Sequence, residues 1–211
     1  MANDDTAAAR GGLLPVNFPL GNFKKTLYRV LTSAVAADNI YLGQLMDADV
    51  TGRATFALEV TASGGATIGP VVGFLDTNKA AIPSGMLTTT AAPYLPGQTD
   101  GYVVVCDDPF QDFVIQEDTG GSALAETNIF NNVNPVYRSS SGNSTTGYST
   151  LELDRSSAGT GTGGLLMIKA LGDQMNSDGT RNAAGNYGKW IVQIVRHRWN
   201  PFSTGIAGTQ L

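Results

Sequence analysis

Short apolar runs with a period of two dominate this 211-residue sequence and leave little of it for helices. In residues 54–61 (ATFALEVT), Phe56, Leu58 and Val60 alternate with smaller or polar residues. A period of two predicts a β-strand with one buried face. We expect further strands at 26–34, 40–46, 67–75, 102–106, 111–116, 133–137, 151–153, 165–171 and 189–198. One short helix is expected at 122–130, after the capping residue Ser122.

Turn-forming residues separate these runs throughout the chain. The 26 glycines are almost twice the usual share, and Ser/Thr-rich stretches fill 139–150 and 156–164, which we expect to be loops. Residues 76–100, with three prolines, are expected to form a long surface loop. Strands alternating with turns predict an all-β fold, either a β-barrel or a β-sandwich, formed by a single domain over residues 25–211.

The strongest local prediction is a β-hairpin over residues 101–118. A β-branched run ending at Cys106 precedes an Asp-Asp-Pro turn at 107–109, and an alternating strand follows. The pattern places four side chains in the core: Val103, Val105, Phe113 and Ile115. We expect the single cysteine, Cys106, to be a buried and inert thiol.

Residues 1–24 are expected to form an extended arm. Pro15, Pro19 and Gly21 exclude a regular helix or a central strand there. Such an arm lies either on its own domain or on a neighbouring subunit, and we expect the neighbour. Its apolar side chains are too many for a free tail and are candidate interface residues: Leu13, Leu14, Val16, Phe18 and Leu20.

Composition excludes several classes of function. The net charge is −5, and the only basic cluster is residues 196–198, which argues against nucleic-acid binding. With no apolar stretch of 18 residues and no signal peptide, we expect no membrane span and synthesis in the cytoplasm. One histidine excludes His-pair metal sites, and we expect no cofactor and no metal, although calcium binding by an acidic loop stays open.

We expect no catalytic residues. A Ser-His-Asp arrangement would need His197, which we interpret instead as a barrel-surface or interface residue. The glycine-rich residues 159–164 lack the lysine and the helix of a phosphate-binding loop. The acidic pairs at 107–108 and 117–118 lie at predicted strand ends, where aspartate is common in turns.

Residues 190–199, here called the closing segment, change from mostly apolar to basic after residue 195. Residues 190–195 are expected to form a central strand that is apolar on both faces. Arginine and tryptophan are enriched at interface hot spots, so three further residues are candidate contacts with an acidic patch on a partner: Arg196, Arg198 and Trp199. The alternative is a strand end with solvated arginines.

Four segments resemble a group of tailed-bacteriophage virion proteins. Residues 103–118 (VVVCDDPFQDFVIQED) are similar to a VxDDPxQxFxIQED segment, and residues 12–16 (GLLPV) to a GLxPV arm. Residues 40–43 (IYLG) are similar to IYxGD, with Gln44 in place of the acid, and residues 188–197 (GKWIVQIVRH) to AKWLVxINxH. The same order of segments extends the resemblance over most of the chain.

The resemblance implies a non-enzymatic structural protein of the virion, a decoration or cement protein on the capsid surface. Its partners would be the major capsid protein and further copies of itself, as a dimer or trimer. Two alternatives stay open: a head-fibre or tail component that binds host surface glycans through an exposed aromatic groove, and a small hydrolase that uses two carboxylates.

Overall fold

The computed structural model describes residues 11–16, 24–30, 39–48, 54–56, 66–82, 94–97, 99–159, 163–176 and 178–199. These residues form twelve strands and one 3₁₀ turn. The strands are β1 (Leu14–Pro15), β2 (Thr26–Val30), β3 (Leu45–Ala48), β4 (Ala54–Phe56), β5 (Gly69–Leu75), β6 (Ala81–Ile82), β7 (Gly101–Val105), β8 (Asp112–Gln116), β9 (Asn132–Gly142), β10 (Ser149–Gly159), β11 (Leu166–Leu171) and β12 (Lys189–Ile194). The predicted all-β fold is confirmed.

The strands form two curled antiparallel sheets. The first has the order β1-β8-β12-β11-β9-β10, and the second has the order β2-β7-β5-β3-β4, with β6 beside β5. The first sheet curls until its two ends meet. Glu117, just after β8, forms a parallel bridge with Leu153 of β10. Residues 11–16, here called the N-terminal segment, cross from β10 to β8 where those two strands diverge.

Two hydrophobic cores lie against the two sheets. The first contains Phe113, Trp190 and Val192, whereas the second contains Val71, Phe74 and Val103. The second sheet contributes to both, because neighbouring residues on a strand point to opposite faces. Leu45 thus packs in the first core and Met46 in the second.

The predicted hairpin at 101–118 is wrong in its pairing. Val103, Val105, Phe113 and Ile115 are buried as predicted. However, β7 pairs with β2 and β5 in the second sheet, and β8 pairs with β1 and β12 in the first. Residues 106–111 therefore carry the chain from one sheet to the other. The alternation of apolar residues along a strand determines which face is buried, but it does not determine which strand is its pairing partner.

Several predicted loops and ends differ. Residues 139–150 were expected to be a loop, but β9 and β10 extend into them and join through a turn at Asn143. The loop expected at 76–100 contains β6, and Leu95 is buried beside Ile40. The helix expected at 122–130 is reduced to the 3₁₀ turn Glu126–Asn128. Strand β12 is central, but only alternate residues are fully buried.

Candidate functional site

The N-terminal segment is part of the chain's own first sheet. Leu14 and Pro15 pair with Val114 and Phe113, and Leu13 is 0% exposed in the first core. Leu13 is therefore a core residue of its own chain, and the expected contact of the arm with a neighbouring subunit stays a prediction. Leu14 and Val16 are half-buried, whereas Phe18 and Leu20 lie outside the described residues.

Two glycines fix the path of the N-terminal segment. Gly12 has φ of +91° and Gly43 has φ of +77°, conformations that favour glycine. Their backbones touch: a Cβ on Gly12 would lie 2.7 Å from the Gly43 carbonyl oxygen. The Leu13 amide donates a hydrogen bond to that same carbonyl over 3.0 Å. Two segments that carry the virion-protein resemblance are thus in direct backbone contact.

The closing segment joins the two sheets. His197 forms a parallel bridge with Thr67, ahead of β5, and is fully buried. Its prediction as a surface or interface residue is therefore wrong. Arg198 already has an acidic partner, because its guanidinium donates to both carboxylate oxygens of Asp47 on β3. This ion pair raises the pKa of Arg198. Arg196 is half-buried, and Trp199 is 51% exposed.

Asp107 is the centre of a buried polar cluster at the crossing between the sheets. It accepts a hydrogen bond of 3.0 Å from the Tyr28 hydroxyl and lies 3.8 Å from the Lys24 ammonium group. Burial and the neighbouring Asp107 carboxylate raise the pKa of Tyr28 to about 12. A hydrogen bond from the Trp199 side chain opposes that rise. Lys24, Tyr28, Asp107, His197 and Trp199 are called the Asp107 cluster below.

Within this cluster His197 is held as a neutral ring. Its Nδ1 accepts a hydrogen bond from the Trp199 amide over 3.1 Å, which places the proton on Nε2. Burial lowers the His197 pKa, and the carboxylates of Asp107 and Asp108 oppose that fall. Among the described residues, neither His197 Nε2 nor Asp107 Oδ1 has a hydrogen-bond partner.

Glu117 is the centre of a second buried cluster, between β8 and β10. Its Oε2 accepts hydrogen bonds from the Trp190 indole over 3.0 Å and from the Leu124 amide over 3.3 Å. Its Oε1 lies 3.5 Å from Arg155 Nη1. Burial raises the Glu117 pKa to about 7, against the effect of these donors. The carboxyl group is 0% exposed.

Arg155 ties this second cluster to two loops. Its guanidinium donates to the carbonyl oxygens of Thr119 and Gly120 and to Asn186 Oδ1. Its backbone amide donates to Asp118, whose pKa is raised by burial. Glu117, Asp118, Arg155, Asn186 and Trp190 are called the Glu117 cluster below. The sequence predicts the acids 117 and 118 at a strand end and gives no sign of their arginine partner.

Both clusters tie separate elements of the fold together, and the Glu117 cluster is enclosed. A general acid must reach the proton acceptor of a substrate, and Glu117 is enclosed by its own sheet. Burial also raises the pKa of Cys106 to about 12, which keeps it a thiol, as expected for an inert cysteine. Over the residues that the structure describes, no group of three His, Cys, Asp or Glu side chains could hold a metal ion. In the same ranges, no helix has the length and apolarity needed to cross a membrane.

Large apolar side chains lie exposed at several points that are not among the residues predicted from the sequence as contacts. Phe110 is 65% exposed in the crossing between the sheets, and Phe130 is 74% exposed beside β11. Further exposed apolar residues are Leu27, Val136 and Met175. Aromatic residues are enriched at contact surfaces between proteins. The phenylalanine of the Asp-Asp-Pro-Phe turn was the available signal, because a turn projects its side chains outward.

Comparison of the chain with protein-family models, with curated proteins and with solved structures found no match.

Proposed function

We propose that this chain is a non-enzymatic virion structural protein that binds the outer surface of a bacteriophage capsid and stabilises it. The sequence resemblance implies this role, and the internal contacts of the chain are compatible with it. The buried charged groups are engaged in bracing the sheets, and the exposed apolar residues are available for binding. Capsid proteins repeat such a contact over many copies, so a modest contact surface gives strong total binding.

One observation carries the proposal: the segments that resemble virion proteins meet as a single framework. Gly12 of the first segment touches Gly43 of the second. Glu117 of the third segment accepts a hydrogen bond from Trp190 of the fourth, 73 positions away. These contacts support a shared architecture as the origin of the resemblance.

The favoured contact surface lies at the Asp107 cluster. Trp199 is exposed and its backbone amide donates to His197, while Tyr28 donates to Asp107. Phe110 follows in the same short crossing, where its amide donates to Asp108. An exposed aromatic ring on an ordered backbone can insert into a partner without loss of backbone order.

The test is binding to phage heads. Purified virions of the phage that encodes the chain should contain it in many copies, detected by mass spectrometry and by immunogold labelling of the head. Purified protein should sediment with heads that lack it. Phe110→Ser or Trp199→Ser should weaken this binding by about 30-fold, the effect of losing a contact worth about 2 kcal/mol.

Phe130→Ser is the matched control, because Phe130 is equally exposed but lies beside β11. It should bind heads as the unmodified protein does. Absence of the chain from purified virions would overturn the proposal. Labelling confined to the tail, with binding on a glycan array, would instead favour a glycan-binding fibre component.

A further inference from the structure

The second sheet has an outer face, turned away from the second core, that is uncovered along β2 and β7. Leu27 and Arg29 of β2 are exposed on this face. Their register partners on β7 are Val104 and Tyr102, which lie on the same face and are half-buried. Cys106, which follows β7, packs in the first core, but Leu27 is 40% exposed and belongs to neither core. The first sheet therefore leaves this part of the face open.

Two cations flank Tyr102 on this face. Arg29 is its register partner on β2, and the Lys79 ammonium group lies 5.5 Å from the centre of the Tyr102 ring. Both cations are exposed, and within the described ranges neither forms an ion pair with a carboxylate. Other cations of the chain do have carboxylate partners: Lys24, Arg138, Arg155, Lys169 and Arg198. On a chain with a net charge of −5, this face thus presents positive charge that the fold does not neutralise.

The turn between β5 and β6 holds Lys79 in a strained conformation. Lys79 has φ of +63°, in the left-handed region that favours glycine. Asp76 closes this turn, because its Oδ1 accepts hydrogen bonds from the Asn78 and Ala80 amides, each over 2.8 Å. Its carbonyl oxygen also accepts a hydrogen bond from the Lys79 amide over 3.0 Å. The turn would be less strained with glycine at position 79, so the lysine points to a role for its ammonium group.

We propose that this face binds an acidic segment of a protein partner. A carboxylate of the partner pairs with Arg29 and Lys79, and an apolar side chain beside that carboxylate packs on Leu27 and Val104. Bonds between arginine and a carboxylate are among the strongest that side chains form. Two cations are too few for a nucleic acid, which binds an extended basic surface. The residues Leu27, Arg29, Lys79, Tyr102 and Val104 are called the basic face below.

Peptide selection on the purified full chain tests this proposal and does not depend on capsid binding. A library of random twelve-residue peptides is selected on the immobilised chain, and one enriched peptide is labelled and titrated by fluorescence anisotropy. We expect enrichment in aspartate and glutamate beside an apolar residue. Arg29→Glu should weaken binding of this peptide by about tenfold or more. Lys79→Gly should also weaken binding but raise the unfolding temperature, because glycine relieves the strained turn.

Arg181→Glu is the matched control, because Arg181 is an exposed arginine in the connection between β11 and β12 of the first sheet. It should bind the peptide as the unmodified chain does. Failure to enrich peptides, enrichment without an acidic bias, or binding that Arg29→Glu leaves unchanged would overturn the proposal. Equal affinity for a single-stranded twelve-nucleotide DNA would overturn it in favour of charge alone. Self-association in sedimentation that Arg29→Glu abolishes would overturn it in favour of a second copy of the chain.

Discussion

Glu117→Gln should become more stable relative to the unmodified protein as the pH rises from 5 to 8. Glutamine keeps the shape of the side chain and an oxygen that accepts the Trp190 hydrogen bond. Burial raises the pKa of Glu117 from 4.5 to about 7 in the folded state. Between these two values the folded protein binds more protons than the unfolded chain, so ionisation of Glu117 lowers stability as the pH rises.

The size of the effect follows from the two pKa values. Since each pKa unit corresponds to about 1.36 kcal/mol, ionising Glu117 in the fold costs roughly 3 kcal/mol. This contribution is lost between about pH 4.5 and pH 7, and glutamine does not ionise. The free energy of unfolding of Glu117→Gln minus that of the unmodified protein should therefore increase by roughly 2–3 kcal/mol from pH 5 to pH 8. Asp118, beside it, is unchanged in both chains and its direct contribution cancels.

The assay is urea unfolding at constant ionic strength, followed by tryptophan fluorescence and circular dichroism, at pH 5, 6, 7 and 8. Glu126→Gln is the matched control, since Glu126 is an exposed acid in the 3₁₀ turn and its replacement should change stability by less than about 0.5 kcal/mol. A stability difference for Glu117→Gln that is flat with pH, or that falls as the pH rises, would refute the argument that burial outweighs the bonds from Trp190 and Arg155.

Three further predictions are tested by the same unfolding assay. Phe113→Ala should lower stability by about 3–5 kcal/mol, because the ring is fully buried in the first core, and a loss below about 1 kcal/mol would contradict that position. Gly12→Ala should lower the free energy of unfolding by more than about 2 kcal/mol, because a Cβ there combines strain at positive φ with overlap on Gly43. Gly163→Ala is the control and should be near neutral, because a Cβ on Gly163 would have no atom within 4 Å. Arg198→Glu should destabilise by repulsion from Asp47, and the exchange Asp47→Arg/Arg198→Glu should recover part of the loss; the absence of any recovery would contradict a direct pair.

The sequence predicts the buried face of a strand far better than its partner. Val103 and Phe113 were placed in the core by alternation alone, and both are fully buried. Alternation is the same whether β7 pairs with β8 or with β2, and a turn between two strands favours the hairpin locally. Pairing of β7 and β8 with strands of different sheets depends on side-chain packing between distant segments.

In the candidate site, too, the sequence indicates individual residues better than it indicates their partners. Arg198 was expected to seek an acidic partner, and it has one, but that partner is Asp47 of the same chain, 151 positions away. Glu117 was seen only as an acid near a strand end, because its partner Arg155 comes 38 positions later. No period or motif connects such pairs, so the sequence indicates charged residues without indicating that they brace the fold.

The hydrogen bond between Gly12 and Leu151 also sets an order of events during synthesis. Strand β1 is made before its pairing partner β8, and Leu151 of β10, which accepts the hydrogen bond from Gly12, follows 139 residues after Gly12. At about 5–20 residues per second, the ribosome takes roughly 7–28 s to reach Leu151. Through that interval the apolar Leu13 has no complete core to enter. The N-terminal end of the chain therefore joins the sheet as a late folding event, and loop closure over this length makes that step slow.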